Sequence, residues 1–174
     1  MLGYRPRVQP AVVRLEELDE SHTHGLFAAL NHELVGQFIG GPDVTTPDEL
    51  RARISQRRSG PPAGREDTWL NFAVLVDGVV VGRVEATLHD RIAEIAYLLG
   101  PRFWGHGYAT AATAELITRL QQPQVGTVWA CVHPGNDRST RVLSRLGFRQ
   151  QPASSGARLL SYDAGDLVFS LPLS

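Results

Sequence analysis

The residues with the clearest chemical potential form a glycine-rich bend, Arg102-Phe-Trp-Gly105-His-Gly107. An apolar run, Ile92–Leu99, precedes the bend, and an apolar-periodic segment beginning at Tyr108 follows it. Glycine lets the backbone approach an anion closely and adopt positive φ angles. The first turn of a helix adds free N–H groups and the positive end of the helix dipole. The spacing therefore predicts a strand–loop–helix junction that binds a phosphate compound.

Two acidic side chains interrupt the apolar strands before this bend. Glu94 lies within Ile92–Leu99, and Glu85 lies within the preceding apolar run. A carboxylate in a partly apolar cleft can have a raised pKa and accept a proton from a nucleophile. The alternative is that both are ordinary strand residues facing solvent. His89 and His133 are weaker candidates, because a single histidine near a turn is more often simply exposed.

A polar pair, Asn136 and Ser139, follows another apolar run, Thr127–Val132. Both positions suit a ligand contact, and both equally suit the capping of a helix that begins there. Cys131 lies inside the apolar run and is predicted to be core rather than a nucleophile. No spacing typical of metal ligands occurs, so no metal is predicted.

Composition places these residues in one domain spanning 1–174. The chain is 43% hydrophobic and 20% charged with a net charge of −1, which suits a single core and gives no reason to expect nucleic-acid or membrane binding. No apolar run reaches the roughly 18 residues of a membrane span. The first ten residues lack the apolar segment of a signal peptide, so a cytoplasmic location is predicted. The single cysteine excludes an intrachain disulfide.

The elements that must position these residues alternate along the chain. Asp77-Gly78 indicates a two-residue hairpin turn between Phe72–Val76 and Val79–Leu88. Gly147 is well placed to end a helix over Asp137–Leu146. The remaining expectations are strands at Ala11–Leu15, Ile92–Leu99, Thr127–Val132, Phe148–Gln150 and Asp166–Leu171, helices at Glu16–Leu30 and Pro47–Arg58 and after Gly107, and a long loop at Arg57–Asp67. This order predicts an α/β fold with a mixed, mostly antiparallel sheet of about six to seven strands flanked by about four helices.

The arrangement resembles the GNAT superfamily of acyl-CoA-dependent N-acyltransferases over nearly the whole chain, most specifically over Phe72–Phe148. The phosphate loop of that family has the form Q/R-x-x-G-x-G/A, which is Arg102-x-x-Gly105-x-Gly107 here. Ala93–Leu98 resembles the family's fourth strand. Asn136-x-x-Ser139 follows the fifth strand, and Gly147 lies 11 residues after Asn136, the usual spacing.

Within the superfamily, Tyr97–Pro101 and Trp104–Thr110 are most similar to the ribosomal-protein alanine N-acetyltransferase branch. That branch also contains enzymes for other amines and other acyl groups. The resemblance implies acetyl-CoA as co-substrate and a primary amine of a protein N-terminus or small molecule as acceptor. The amine would attack directly in a ternary complex.

The resemblance also implies that the strand around Leu98 and Leu99 splays from its neighbour. Its free backbone groups would then pair with the pantetheine arm and polarise the thioester carbonyl. The structural alternatives are plain core for these leucines, helix-start geometry for the glycines and a solvated loop position for Arg102. The implied CoA-binding residues are Leu98, Leu99, Gly100, Arg102, Trp104, Gly105, His106, Gly107, Tyr108, Ala109, Thr110 and Asn136.

The catalytic residues follow from the same resemblance. Glu94 matches the position of the general base in histone-acetylating members, and Glu85 is the other candidate. Many members carry a tyrosine acid seven residues after the asparagine, where this chain has Leu143. Ser139 lies one helical turn earlier on the same face and becomes the candidate donor to the sulfur.

Three alternatives to acetyl transfer stay open. The missing tyrosine is compatible with a non-catalytic acyl-CoA-binding or regulatory module, and the loop is compatible with another acyl-CoA. A nucleotide-binding protein is disfavoured, because Thr110 stands where G-x-G-x-x-G requires its third glycine. The expected partners are an acyl-CoA and an amine acceptor, with the protein a monomer or a homodimer through its late strands.

Overall fold

A seven-stranded sheet organises the protein in the computed structural model, which describes residues 11–39 and 46–173. Its order is β1-β2-β3-β4-β5-β7-β6, and among these strands only β4 and β5 pair in parallel. The mixed, mostly antiparallel sheet confirms the predicted fold class. The strands are β1 (Val13–Glu17), β2 (Thr68–Val76), β3 (Val79–His89), β4 (Ile92–Leu99), β5 (Thr127–Val132), β6 (Arg149–Gln151) and β7 (Leu167–Pro172). The described helices are α1 (Thr23–Leu30), α2 (Glu33–Gly36), α3 (Pro47–Arg58), α4 (Tyr108–Leu120) and α5 (Asp137–Arg145).

The hairpin of β2 and β3 sets the register of the central strands. Asp77 and Gly78 have φ angles of 49° and 83°, as a primed two-residue turn requires. The next strand pair then places Glu85 opposite Ala96 and Thr87 opposite Glu94. Both predicted carboxylates are thereby placed on neighbouring strands.

The two faces of the sheet pack against different helices. Ile95, Leu99 and the buried side of α4 and α5 belong to one apolar cluster. Leu98 packs against a second cluster that contains residues of α1 and α3. Because successive side chains of a strand point to opposite faces, Glu94 and Ala96 lie on the same face as Leu98.

The parallel pair of β4 and β5 is short. Its ladder runs only from Ile92 opposite Thr127 to Glu94 opposite Trp129. β4 continues to Leu99, whereas β5 continues to Val132 alongside β7. Past Glu94, β4 therefore has no β5 residue to pair with. The two strands are thus separated around Leu98 and Leu99, as expected.

The boundary between β1 and the first helix differs from the expectation. Glu16 and Glu17 pair with Ala73 and Phe72 of β2, so they extend β1 instead of starting a helix. A 3-10 turn capped by Asp19 follows, and α1 begins only at Thr23. Sheet pairing with a strand more than fifty positions away overrides local helix propensity here. None of the described helices has the length and apolar character needed to cross a membrane.

Candidate active site

The glycine bend forms an anion-binding geometry at the start of α4. Gly105 and Gly107 have φ angles of 80° and 81°, which only glycine adopts without strain. The first helical hydrogen bond runs from the Ala111 N–H to the Gly107 carbonyl at 3.0 Å, so the preceding N–H groups of the first turn have no helical partner. The Thr110 hydroxyl is also buried without a partner among the described residues. Free donors at the start of a helix are the groups that a diphosphate would need.

A cleft of about 320 Å³ opens beside this bend, and we call it the donor cleft. Its walls come from the end of β4, the bend, α2, the start of α4 and one side of α5. The predicted CoA-binding residues that line it are Leu98, Leu99, Trp104, Gly105, Gly107, Tyr108, Ala109, Thr110 and Asn136. The predicted residues thus converge on one apolar-walled cleft.

Three predicted CoA-binding residues lie outside the lining of the donor cleft. Arg102 and His106 are exposed, and the His106 ring stacks on Tyr108 at 5.3 Å. Gly100 has a packing role, because a Cβ there would come within 2.3 Å of the Ala29 carbonyl oxygen. Their assignment to CoA stays a prediction.

The donor cleft is positively charged. Arg138, Arg141 and Arg145 line it along one side of α5, and none of the acidic side chains within residues 11–39 and 46–173 does. The Arg138 guanidinium stacks 4.3 Å above the Trp104 ring. The Trp104 indole N–H donates to the Leu99 carbonyl at 2.7 Å. That carbonyl therefore has a partner, whereas it was expected to be free. These three arginines were not among the residues predicted from the sequence, although their i, i+3, i+7 spacing in α5 indicates that they share one side of the helix.

Ser139 meets a tyrosine inside the donor cleft. Asn136 caps α5 by accepting from the Ser139 N–H at 3.2 Å, so its capping role is present while it lines the cleft. The Tyr97 and Ser139 hydroxyl oxygens lie 2.7 Å apart. Burial raises the pKa of Tyr97 to about 12, although the bond to Ser139 opposes it. Leu143, where many relatives place a tyrosine, is fully buried in the core.

A second cleft, of about 540 Å³, is lined by Glu94, Ile95 and Ala96 of β4, and we call it the acceptor cleft. It contains both predicted carboxylates, Glu85 and Glu94, with the exposed Ala96 on its floor. Its other walls are α3, β2 and Leu160–Ser161.

Glu94 holds the segment that precedes β7, residues 152–166, against β4 by hydrogen bonds, and we call it the anchor of that segment. Only 5% of the residue is exposed. One carboxylate oxygen accepts from His89 Nε2 and the Leu160 N–H, and the other accepts from the N–H and hydroxyl of Ser161. Four donors fill the capacity of a carboxylate.

The electrostatics of this anchor differ from expectation. Burial alone would raise the pKa of Glu94, but the bonds from Ser161, Leu160 and His89 outweigh it and lower the pKa below its ordinary value. The expectation of a raised pKa is therefore wrong for Glu94. Burial opposes protonation of His89, yet the contacts with Glu94 and Asp90 raise the pKa of His89. Sequence alone does not show these donors, since Leu160 and Ser161 lie 66 and 67 positions away.

Glu85 is held differently. Its Oε2 accepts from the guanidinium groups of Arg57 and Arg83, and no described residue donates to its other oxygen, Oε1. It also lies opposite Ala96, two residue pairs nearer than Glu94 to the point where Tyr97–Leu99 line the donor cleft. Among the described residues, Glu85 therefore has one oxygen without a donor, whereas both oxygens of Glu94 have donors.

Two other sequence candidates lie outside both clefts. His133 is exposed and lies 5.3 Å from the Phe38 ring. Cys131 is half-buried beside Leu159 and Val168, and burial raises the pKa of its thiol to about 11. A thiol with such a pKa is a poor nucleophile at neutral pH. No cluster of potential metal ligands occurs within residues 11–39 and 46–173.

The glycine bend, the short β4–β5 pairing and the two clefts along β4 are compatible with the fold of an acetyltransferase. The sequence profile described as "Acetyltransferase (GNAT) domain" matches residues 13–149. The chain belongs to the GNAT acetyltransferase family.

Individual relatives agree with this family. "Putative ribosomal N-acetyltransferase YdaF" of Bacillus subtilis is 30% identical over 104 residues, 58% of this chain. The chain spans 57% of the length of YdaF and 40% of a second relative from the same bacterium. RimJ of Mycobacterium smegmatis, solved with CoA-disulfide, is 23% identical with a TM-score of 0.72 and coverage of 94% and 83%. A Salmonella typhimurium enzyme described as modifying the N-terminal serine of ribosomal protein L7/L12 is 18% identical with a TM-score of 0.72 and coverage of 93% and 95%. At these identities, the two structures show a shared fold.

Proposed function

We propose that this protein transfers the acetyl group of acetyl-CoA to a primary amine of a protein N-terminus or a small molecule. The supporting observation is that consecutive residues of β4 line two clefts. Ile95 and Ala96 line the acceptor cleft, and Tyr97–Leu99 line the donor cleft. An amine bound in the first cleft and a thioester bound in the second would meet along β4, as direct attack in a ternary complex requires.

The donor cleft suits CoA in each of its parts. The apolar wall of α2 and the end of β4 suits the pantetheine arm, and the bend with the first turn of α4 suits the diphosphate. Arg141 and Arg145 suit the remaining phosphate at the far end. CoA supplies an activated thioester, and the protein supplies its orientation.

The reaction needs one proton acceptor and one donor to sulfur. The amine nitrogen attacks the carbonyl carbon, a C–N bond forms, and the C–S bond breaks with its electron pair going to sulfur. We assign proton acceptance to Glu85 acting through water, because Glu94 is filled by its four donors. Ser139, on the donor side, donates a hydrogen bond to the leaving sulfur.

The acceptor class is supported by two features. YdaF is named a putative ribosomal N-acetyltransferase, and the Salmonella enzyme is described as modifying the N-terminal serine of ribosomal protein L7/L12. Leu160 is 58% exposed next to the acceptor cleft, which offers an apolar contact to the residue that follows the reacting amine.

CoA thiol release tests the proposal. Purified protein is given acetyl-CoA or a longer acyl-CoA with Ala-, Ser- and Met-starting peptides, polyamines, aminoglycosides or free amino acids, and a blank without acceptor. We expect release above the blank with acetyl-CoA and one amine class. Acetyl-CoA binding without release for any amine would support the non-catalytic alternative, and faster release with a longer acyl-CoA would identify another donor.

Glu85→Gln tests the assigned base. We expect kcat to fall roughly 100-fold, the usual scale for loss of a general base. Asp48→Asn, an exposed acid-to-amide change on α3, should keep kcat. Wild-type kcat in Glu85→Gln would contradict the assignment.

A further inference from the structure

Tyr97 is a part of the donor cleft that the proposed reaction has not yet used. It lies on β4, lines the cleft beside Ser139, and packs partly against the main apolar cluster. Its hydroxyl lies 2.7 Å from Ser139 Oγ and 3.2 Å from the Ser139 carbonyl oxygen. The phenol therefore reaches across from the sheet to the first turn of α5.

Either hydroxyl can donate across the 2.7 Å contact, so two arrangements of the hydrogen atoms fit the geometry. In one of them, Ser139 Oγ accepts the Tyr97 hydrogen. The Ser139 carbonyl already has a partner of its own, because an α-helix pairs it with the N–H four residues later, at Leu143. If Tyr97 donates to Oγ, the hydrogen of Ser139 is free to be donated into the cleft.

We propose that Tyr97 is a positioning residue that holds Ser139 as a hydrogen-bond donor to the sulfur of the leaving CoA thiolate. This inference rests on the proposed acetyl transfer. As the C–S bond breaks, the electron pair and negative charge go to sulfur, and the Ser139 hydroxyl stabilises that charge. Tyr97 polarises the hydroxyl, since hydrogen bonds in a chain strengthen one another.

The pair acts by hydrogen bonding and not by proton transfer. The pKa of Tyr97 is about 12, whereas an ordinary thiol has a pKa of about 8.5. The thiolate is thus too weak a base to remove the proton from the phenol, and it takes a proton from solvent after release. The contribution of the pair to kcat should therefore not depend on pH between about 6 and 9.

The Tyr97 phenol comes from β4, whereas many GNAT members carry their tyrosine on the helix that corresponds to α5. Position 143 holds a fully buried leucine. The side chains of Tyr97 and Leu99 lie on the same face of β4, toward α5. A strand residue 42 positions before Ser139 supplies the hydroxyl that the helix lacks.

A double-mutant cycle tests the inference with Tyr97→Phe, Ser139→Ala and the double variant. We expect kcat to fall roughly 10-fold in Tyr97→Phe and roughly 30-fold in Ser139→Ala, below the roughly 100- to 1,000-fold loss caused by removing an oxyanion-hole donor. The KM for acetyl-CoA and the Tm should change little. Because Tyr97 acts through Ser139, the double variant should match Ser139→Ala. Ser144→Ala, on the exposed side of the same helix, should match the wild type.

Each other outcome has a definite meaning. Multiplying effects in the double variant, or a Tyr97→Phe effect confined to KM or Tm, would overturn the positioning role. A kcat profile whose alkaline limb moves in Tyr97→Phe would show proton transfer instead. Absence of turnover in the wild-type protein would refute the proposed function itself, whereas wild-type turnover with an unaffected Tyr97→Phe would refute this inference alone.

Discussion

Glu94 is expected to act as the anchor of residues 152–166, and its replacement by glutamine tests this directly. The amide keeps the size of the side chain but turns one oxygen into an NH2 group, which cannot accept a hydrogen bond. The Ser161 hydroxyl can rotate to accept from that group. A backbone N–H, that of Leu160 or Ser161, then faces another donor.

The magnitude follows from these contacts. A buried donor without a partner costs about 1–3 kcal/mol, and a hydrogen bond to a neutral acceptor is about 1 kcal/mol weaker than one to a charged acceptor. We expect Glu94→Gln to lower the free energy of unfolding by about 3 kcal/mol. For a chain of this size, that corresponds to a fall in Tm of roughly 6–12 °C. If the segment opens locally before the protein unfolds, the change in Tm will be smaller and the segment will exchange its amide hydrogens faster.

The stabilisation should depend on pH in a defined way. The folded-state pKa of Glu94 is lowered, so its contribution is present above the ordinary value of 4.5 and is lost as pH falls through the folded-state pKa. The pKa of His89 is raised, so its contribution is complete below the ordinary value of 6.5 and is lost as pH rises through the folded-state pKa. The difference between wild type and Glu94→Gln should therefore be largest between pH 4.5 and 6.5.

Urea unfolding and trypsin cleavage after Arg158 provide the assays. The Arg158 guanidinium stacks 4.6 Å above the Trp129 ring, so cleavage there reports opening of the segment. Glu115→Gln, which removes a partly exposed partner of Arg119, should change stability by less than about 1 kcal/mol. Wild-type stability and cleavage rate in Glu94→Gln, together with a large loss of kcat, would refute the anchor and point to Glu94 as the base.

Two further predictions concern the donor cleft. Gly107→Ala places alanine at a φ of 81° with no atom within 4 Å of the new Cβ, so we expect about 1–2 kcal/mol of backbone strain and a loss of acetyl-CoA affinity in calorimetry. Gly64→Ala, at a φ of 89° in an exposed loop, is matched in strain and should keep the affinity; equal losses in both would contradict the assigned bend. Arg141→Gln combined with Arg145→Gln should weaken CoA binding roughly 10-fold and 3′-dephospho-CoA binding much less, whereas equal weakening of both ligands would exclude a contact with the 3′-phosphate.

Local signals were sufficient for much of the fold. Asp77-Gly78 predicted the central hairpin because both residues tolerate the positive φ angles that they have in the structure. The boundaries of β4, β5 and α3 also follow from hydrophobic runs and capping residues within a few positions of each end. The end of β1 did not, since Glu16 and Glu17 are strand residues only through their pairing with β2.

The sequence by itself determined the positions of the glycine bend and of the helix start that follows it, because glycine geometry and helix capping depend on neighbouring residues. Only the tertiary structure decided what the polar side chains do. Glu94 accepts from Leu160, and Tyr97 meets Ser139 across 42 positions. Such contacts depend on strand register and on the path of the chain before β7, and neither leaves a periodic pattern in the sequence.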